Sequence, residues 1–238
     1  MTFTSTDMFL QQNNILGLKQ DLNELNTGDI LLFGGSTFWF SKIVRYWTHS
    51  QWTHTAIVLR DPIYINPELT GLYLWESGSE NFPDSENHLQ KFGVQISSLE
   101  TLLKKGYDGY IAYRKLTTNI PDIDDKLKAI HKIVHDKPYD INLLDFMKAS
   151  NEVNEIESPA TSTWRFWKWF MPNHRKNNTY FCSALVGFIY TKLGLLPSST
   201  KWTECTPQFF SSEETPSMKL ITGSHLGPDE IIYQNPNN

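Results

Sequence analysis

Two short segments, Thr53-His54-Thr55-Ala56-Ile57-Val58-Leu59 and Leu72-Tyr73-Leu74-Trp75-Glu76, carry the β-branched, aliphatic and aromatic residues of strands, and the turn-forming Pro62 and Pro67 lie between them. A two-residue period puts His54 on the face of Ala56 and Val58, and Glu76 on the face of Leu72 and Leu74. Each strand thus ends its apolar face in a polar group. An antiparallel hairpin in one register pairs Val58 with Leu72, Ala56 with Leu74 and His54 with Glu76. A slip of two residues keeps the faces and moves His54 off Glu76. A half-buried carboxylate is costly unless it is paired, so the histidine is its natural partner, and a purely structural His–Glu pair fits the same pattern.

A third segment supplies a thiol. From Ser183 to Leu193 the apolar residues Leu185, Phe188, Ile189 and Leu193 recur at helical spacing, and Gly194 with Pro197 signals the stop. Cys182 is therefore expected at a helix N-terminus, where unpaired N–H groups and the helix dipole favour a thiolate. The same amides suit an oxyanion. A buried, inert cysteine at the start of a core helix is the alternative reading of this segment. Taken together, Cys182, His54 and Glu76 are a nucleophile, a base and an orienting acid, the parts of thiol-dependent acyl transfer.

The remaining pattern is mixed. Strands are expected near 30–33, 94–96 and 110–114, with a helix that Ser97 or Ser98 caps before the last of these, and an aromatic helix over 38–47. Pro121 opens a helical stretch with Ile123, Leu127, Ile130 and Val134 on one face, closed before Pro138. The fold class is α+β: a small, mostly antiparallel sheet packed against helices, with the cysteine helix following the sheet in sequence.

At 238 residues, 39% hydrophobic and 20% charged, the chain has the composition of one folded domain. A net charge of −5 and a pI near 5.8 argue against a general nucleic-acid binder. Residues 1–14 lack the basic start, apolar run and cleavage site of a secretory signal, and no apolar stretch approaches membrane-spanning length, so a cytoplasmic protein is expected. In that setting Cys182 and Cys205 are expected to stay free, with Cys205 filling a core gap or lying near the site entrance. His131 and His135 stand at a spacing two metal ligands can use, but no matching Cys or carboxylate pattern completes a site, so no metal and no cofactor is expected.

Between Asp145 and Tyr180 the composition shifts. A polar, acidic half is followed, after Pro159, by a stretch holding Trp164, Trp167 and Trp169 among Arg165, Lys168, Arg175 and Lys176. That composition suits a membrane interface, a lid over an acyl substrate, or a core helix whose basic residues snorkel. It reads as an insertion at about 148–178.

The order of these motifs resembles the permuted papain-like amidases of the NlpC type, in particular the YaeF/YiiX-like bacterial proteins and their poxvirus relatives. The resemblance runs through Thr27-Gly28-Asp29-Ile30, Trp52-Thr53-His54-Thr55, Trp75-Glu76-Ser77, Gly93-Val94, Tyr113-Arg114, Pro138-Tyr139-Asp140, Tyr180-Phe181-Cys182-Ser183 and Thr206-Pro207. It implies a circularly permuted papain-like fold over residues 27–225, between an N-terminal extension (1–26) and a C-terminal tail (226–238). It also implies a cysteine hydrolase of amidase or peptidase type, with Cys182 as nucleophile, His54 as base and Glu76 as orienting acid. Relatives usually read Cys-Ser-Glu where this chain has Cys182-Ser183-Ala184, so any role of that glutamate is absent. Tyr180, Tyr139 and Asp140 are candidates for oxyanion or substrate contacts. The expected partner is a small amide, peptide or acyl substrate, with lipid contact through Trp164, Trp167 and Trp169. An acyltransferase or thioesterase on lipid or lipidated substrates, and a non-catalytic binding module, are the alternatives.

Overall fold

An antiparallel sheet dominates the structure, a computed structural model that describes residues 15–36, 50–78, 82–90, 93–135, 182–214, 218–221 and 223–237. Six strands form one antiparallel sheet in the order β4-β3-β2-β1-β5-β8: β1 (Ile30–Gly34), β2 (Trp52–Arg60), β3 (Leu72–Gly78), β4 (Gly93–Ser98), β5 (Tyr110–Arg114) and β8 (Glu230–Gln234). Two short strands, β6 (Leu116–Thr117) and β7 (His225–Leu226), pair apart from it. The helices among the described residues are α1 (Leu99–Lys105), α2 (Ile123–Val134) and α3 (Cys182–Lys192). The α+β class and the mostly antiparallel sheet are as expected from the sequence.

Both faces of the sheet are covered, which is why its strands are buried along nearly their whole length. On one side Ile57, Leu59, Trp75 and Ile96 pack with Leu127, Ile130 and Val134 of α2 and Leu185, Val186 and Ile189 of α3. On the other, Leu31, Phe33, Ala56, Val58 and Leu74 meet Leu99, Leu102 and Leu103 of α1 and Ile15, Leu22 and Leu25. Ser98 caps α1 by accepting from the Thr101 N–H at 3.2 Å, so the second of the two candidate serines is the cap. Gly194, at φ 78°, ends the turn after α3 in the left-handed region that glycine tolerates.

The hairpin register differs from the one drawn from the sequence. β2 and β3 pair Val58 with Leu74 and Ile57 with Trp75, a slip of two residues from the expected Val58–Leu72. The turn sets it: Asp61, at φ 46°, donates its N–H to the Gly71 carbonyl (2.8 Å) and accepts the Gly71 N–H on Oδ1 (2.6 Å). That closure fixes Arg60 opposite Leu72.

The C-terminal segment, read from sequence as a tail, carries β8 and closes the sheet beside β5. Buried Arg114 helps to hold it by donating to the carbonyls of Phe210 (2.8 Å), Leu226 (3.3 Å) and Gly227 (2.7 Å), with Asp229 at 3.5 Å. Beyond β8, Leu18 bridges Tyr233 in antiparallel fashion, flanked by Lys19 N–H to Ile232 O (2.8 Å) and Gln234 N–H to Gly17 O (3.0 Å). The helix expected over 38–47 and the Trp-rich insertion, with Trp164, Trp167 and Trp169, lie outside the described residues, as do Tyr139, Asp140 and Tyr180.

Candidate active site

β2 delivers His54 beside a bulge. Phe33 of β1 faces His54 while Gly34 faces Trp52, so Thr53 is the extra residue, and its hydroxyl donates to Phe33 O at 3.2 Å. Bulges of this kind re-aim the neighbouring side chain. The His54 ring rests against Phe33 at a centroid distance of 5.2 Å.

The β2–β3 ladder ends at Ile57–Trp75, and carrying its register onward sets Glu76 opposite Ala56. His54 therefore meets Glu76 on the diagonal, a span that long side chains cover. The two are in contact, His54 Nε2 to Glu76 Oε2 at 2.6 Å. The expected pairing is present although the expected register is not.

Glu76 is held from its other side by β4. Ser97 Oγ donates to Glu76 Oε1 at 2.8 Å and Gln95 Nε2 donates to the same oxygen at 3.3 Å. All three residues are buried. Burial alone would raise the Glu76 pKa, but the hydrogen bond and charge of His54, with Ser97 and Gln95, hold it below the usual carboxylate value. Gln95 and Ser97 were missed in the sequence. The signal was there: two polar residues at alternate positions of Gly93-Val94-Gln95-Ile96-Ser97, on the face that Glu76 shares.

Cys182 opens α3, as the helical spacing predicts, and every residue from Cys182 to Tyr190 is buried. The helix is docked closely at its first turns. Ser183 Oγ donates to Cys205 O at 2.6 Å. Gly187 presents no side chain where a Cβ would stand 3.0 Å from Cys205 Sγ and 3.1 Å from Trp202 Cβ. This docking carries the sulfur to His54. Burial raises the Cys182 pKa, and the charge and hydrogen bond of His54 outweigh it, helped by backbone groups of Thr55 and Ser183, so that the thiol lies below its ordinary value. Burial likewise lowers that of His54, and the Cys182 thiolate and Glu76 overcome it, raising it to about 10. With Nε2 engaged by Glu76, Nδ1 is the ring nitrogen left for the sulfur. The His54 side chain is 24% exposed, so one edge of the assembly is open to solvent.

The second thiol is different. Cys205 is free and buried, and burial followed by the charge of Glu204 pushes it up to about 12. Of the sequence candidates, then, the structure brings Cys182, His54 and Glu76 together, while Tyr139, Asp140 and Tyr180 fall outside the described residues.

No family model matches the chain, and no curated protein matches it. Among solved structures, the crystal structure of the metalloprotein YiiX from Escherichia coli O157:H7 is similar at 16% sequence identity and a TM-score of 0.41, covering 90% of this chain and 91% of that one. No helix among the described residues is long and apolar enough to cross a membrane.

Proposed function

We propose that the chain is a cysteine-dependent acyl-transfer enzyme, a hydrolase of amides, peptides or related acyl compounds, on a permuted papain-like fold. The observation that carries this reading is one imidazole held between a buried carboxylate and a thiol at a helix N-terminus, with the thiol pKa lowered and the histidine pKa raised. A structural His–Glu pair has no use for that thiol.

In the reaction the Cys182 thiolate attacks the carbonyl carbon, a C–S bond forms, and the carbonyl π electrons move onto oxygen. The developing oxyanion is met by N–H groups at the start of α3, that of Cys182 first. His54 then gives its Nδ1 proton to the departing nitrogen or oxygen as the bond to carbon breaks. The thioacyl-enzyme is released by water, which His54 deprotonates. Glu76 accepts the Nε2 proton's hydrogen bond throughout and keeps the ring turned toward sulfur.

A thiol-directed probe at neutral pH tests this. Cys182 should label much faster than Cys205, and His54→Ala should remove the difference. Equal, slow labelling of both sulfurs would leave a binding module. Acyl release from peptide and lipid substrates, with and without an added amine or alcohol, separates hydrolysis from transfer to an acceptor, the outcome that the Trp-rich stretch around Trp164, Trp167 and Trp169 favours if it contacts lipid.

A further inference from the structure

Away from the cysteine, Glu86, His131 and His135 bring three metal-ligating atoms within 4.8 Å of one another. His131 lies in the last turn of α2 and His135 is the residue that caps it, so the i,i+4 spacing puts both rings on one face, their centroids 4.7 Å apart. The third donor was invisible in the sequence because it comes from the β3–β4 connection, 45 positions away. Glu86 Oε2 stands 2.9 Å from His131 Nε2 and 3.4 Å from His135 Nδ1. Ligand atoms bound tetrahedrally to zinc at about 2.0–2.1 Å are separated by roughly 3.3–3.4 Å, so the three groups need only small movements to receive the ion.

The donors are also held in place. The Asp84 carboxylate accepts the N–H groups of Glu86 and Ile96, both at 3.2 Å, and Ser85 N–H donates to Ile96 O at 2.7 Å, which pins the turn bearing Glu86 against β4. On the other side the buried Trp75 ring packs on His131 at 5.9 Å. Glu86 and His131 side chains are each 13% exposed and His135 is 37% exposed, so two donors are walled in and the third faces an open side. Two imidazoles and one carboxylate suit zinc and its neighbours, whereas magnesium and calcium prefer oxygen throughout.

We propose that Glu86, His131 and His135 form a binding site for a divalent transition cation of the zinc type, with solvent in the fourth position. The ion ties the β3–β4 connection to the end of α2. Trp75 and Glu76 are successive residues of β3 and point to opposite faces, so the site lies behind the strand that carries the orienting carboxylate and shares no residue with the triad.

The test is a titration of the chelator-stripped, full-length protein with Zn²⁺ alone, read by calorimetry and by the midpoint of thermal unfolding. A Co²⁺ titration, read by visible absorption, reports the coordination. Because the Cys182–His54 pair is itself able to bind zinc, Cys182→Ser is titrated in parallel. One equivalent should bind to both proteins and raise the unfolding midpoint of each, with the absorption of tetrahedral Co²⁺ lacking thiolate charge transfer in Cys182→Ser. Glu86→Gln and His135→Ala should weaken that equivalent by more than the roughly 10–100-fold typical of losing an outer-shell partner. Their unfolding midpoints in chelator, set beside that of the parent, show that the fold is retained. Absence of uptake by the parent, uptake that Cys182→Ser abolishes, or unchanged affinity in Glu86→Gln and His135→Ala would each overturn the proposal and leave a hydrogen-bonded His–Glu–His cluster.

Discussion

At the scale of single residues, the site's chemistry rests on opposed pKa shifts. The thiol of Cys182 is lowered and His54 is raised to about 10, so the thiolate–imidazolium form gains on the neutral pair. The rate of Cys182 alkylation should therefore begin to drop at a lower pH than that of an ordinary thiol, whose value is about 8.5. In His54→Ala that drop should move upward, since burial then acts on the sulfur with its main counter-charge gone. Acyl transfer should fall again as pH passes about 10, where His54 loses the proton it donates. Stability follows the same sign. A histidine whose pKa is raised on folding contributes fully below its unfolded value, about 6.5, and that contribution fades as pH climbs through the folded value. Here the proton that His54 gains is the one Cys182 gives up, so the pair's contribution falls as pH climbs from the unfolded thiol value, about 8.5, toward about 10, and the urea midpoint of the parent should drop across that interval. Glu76 gives a separate prediction. Glu76→Gln keeps an amide oxygen able to accept from Nε2 and should retain far more activity than Glu76→Ala, as judged by kcat. Ser97→Ala, which strips a donor from the buried carboxylate, should destabilise by about 1–3 kcal/mol in urea unfolding and lower kcat without removing it.

At the scale of elements, α3 works because it is docked closely. Gly187→Ala pushes a methyl to within 3.0 Å of Cys205 Sγ, and overpacking of this kind costs about 1–3 kcal/mol. We expect a lower urea midpoint and slower labelling of Cys182, both partly restored by adding Cys205→Ala, which vacates the space. The element pattern was legible where burial imposed a period: Leu127, Ile130 and Val134 repeat at helical spacing. The β2–β3 register was not legible, because a two-residue slip leaves every side chain on its face. What decided it was the closure between Asp61 and Gly71, contacts that no periodicity records. The shell around Glu76 needed the pairing of β3 with β4 before Ser97 and Gln95 acquired meaning. Glu230–Gln234 escaped notice because a short strand beside a run of Asn and Pro reads as a tail, and only the free edge of β5 makes it a sixth strand.

At the scale of the molecule, the sheet is completed by segments remote in sequence, and Arg114 is the residue that most directly joins them. Its guanidinium reaches three carbonyls, one at Phe210 and two at Leu226 and Gly227, a fork that the single ammonium of lysine does not reproduce. Arg114→Lys keeps the charge but leaves buried carbonyls without a donor, and should lower stability by about 1–3 kcal/mol for each carbonyl so orphaned, read by denaturant titration, with Cys182 labelling per folded molecule nearly unchanged. The contacts of Gly17, Leu18 and Lys19 with Ile232, Tyr233 and Gln234 have a mechanical outcome. The two strings run in opposite directions, so residues 15 and 237 leave the ladder at the same end. Tension applied through those two points loads one bond at a time and peels the corner open like a zip, whereas strands dragged lengthwise share the force. The molecule should yield first at this seam, at low pulling force, while the thiol and its imidazole are still intact.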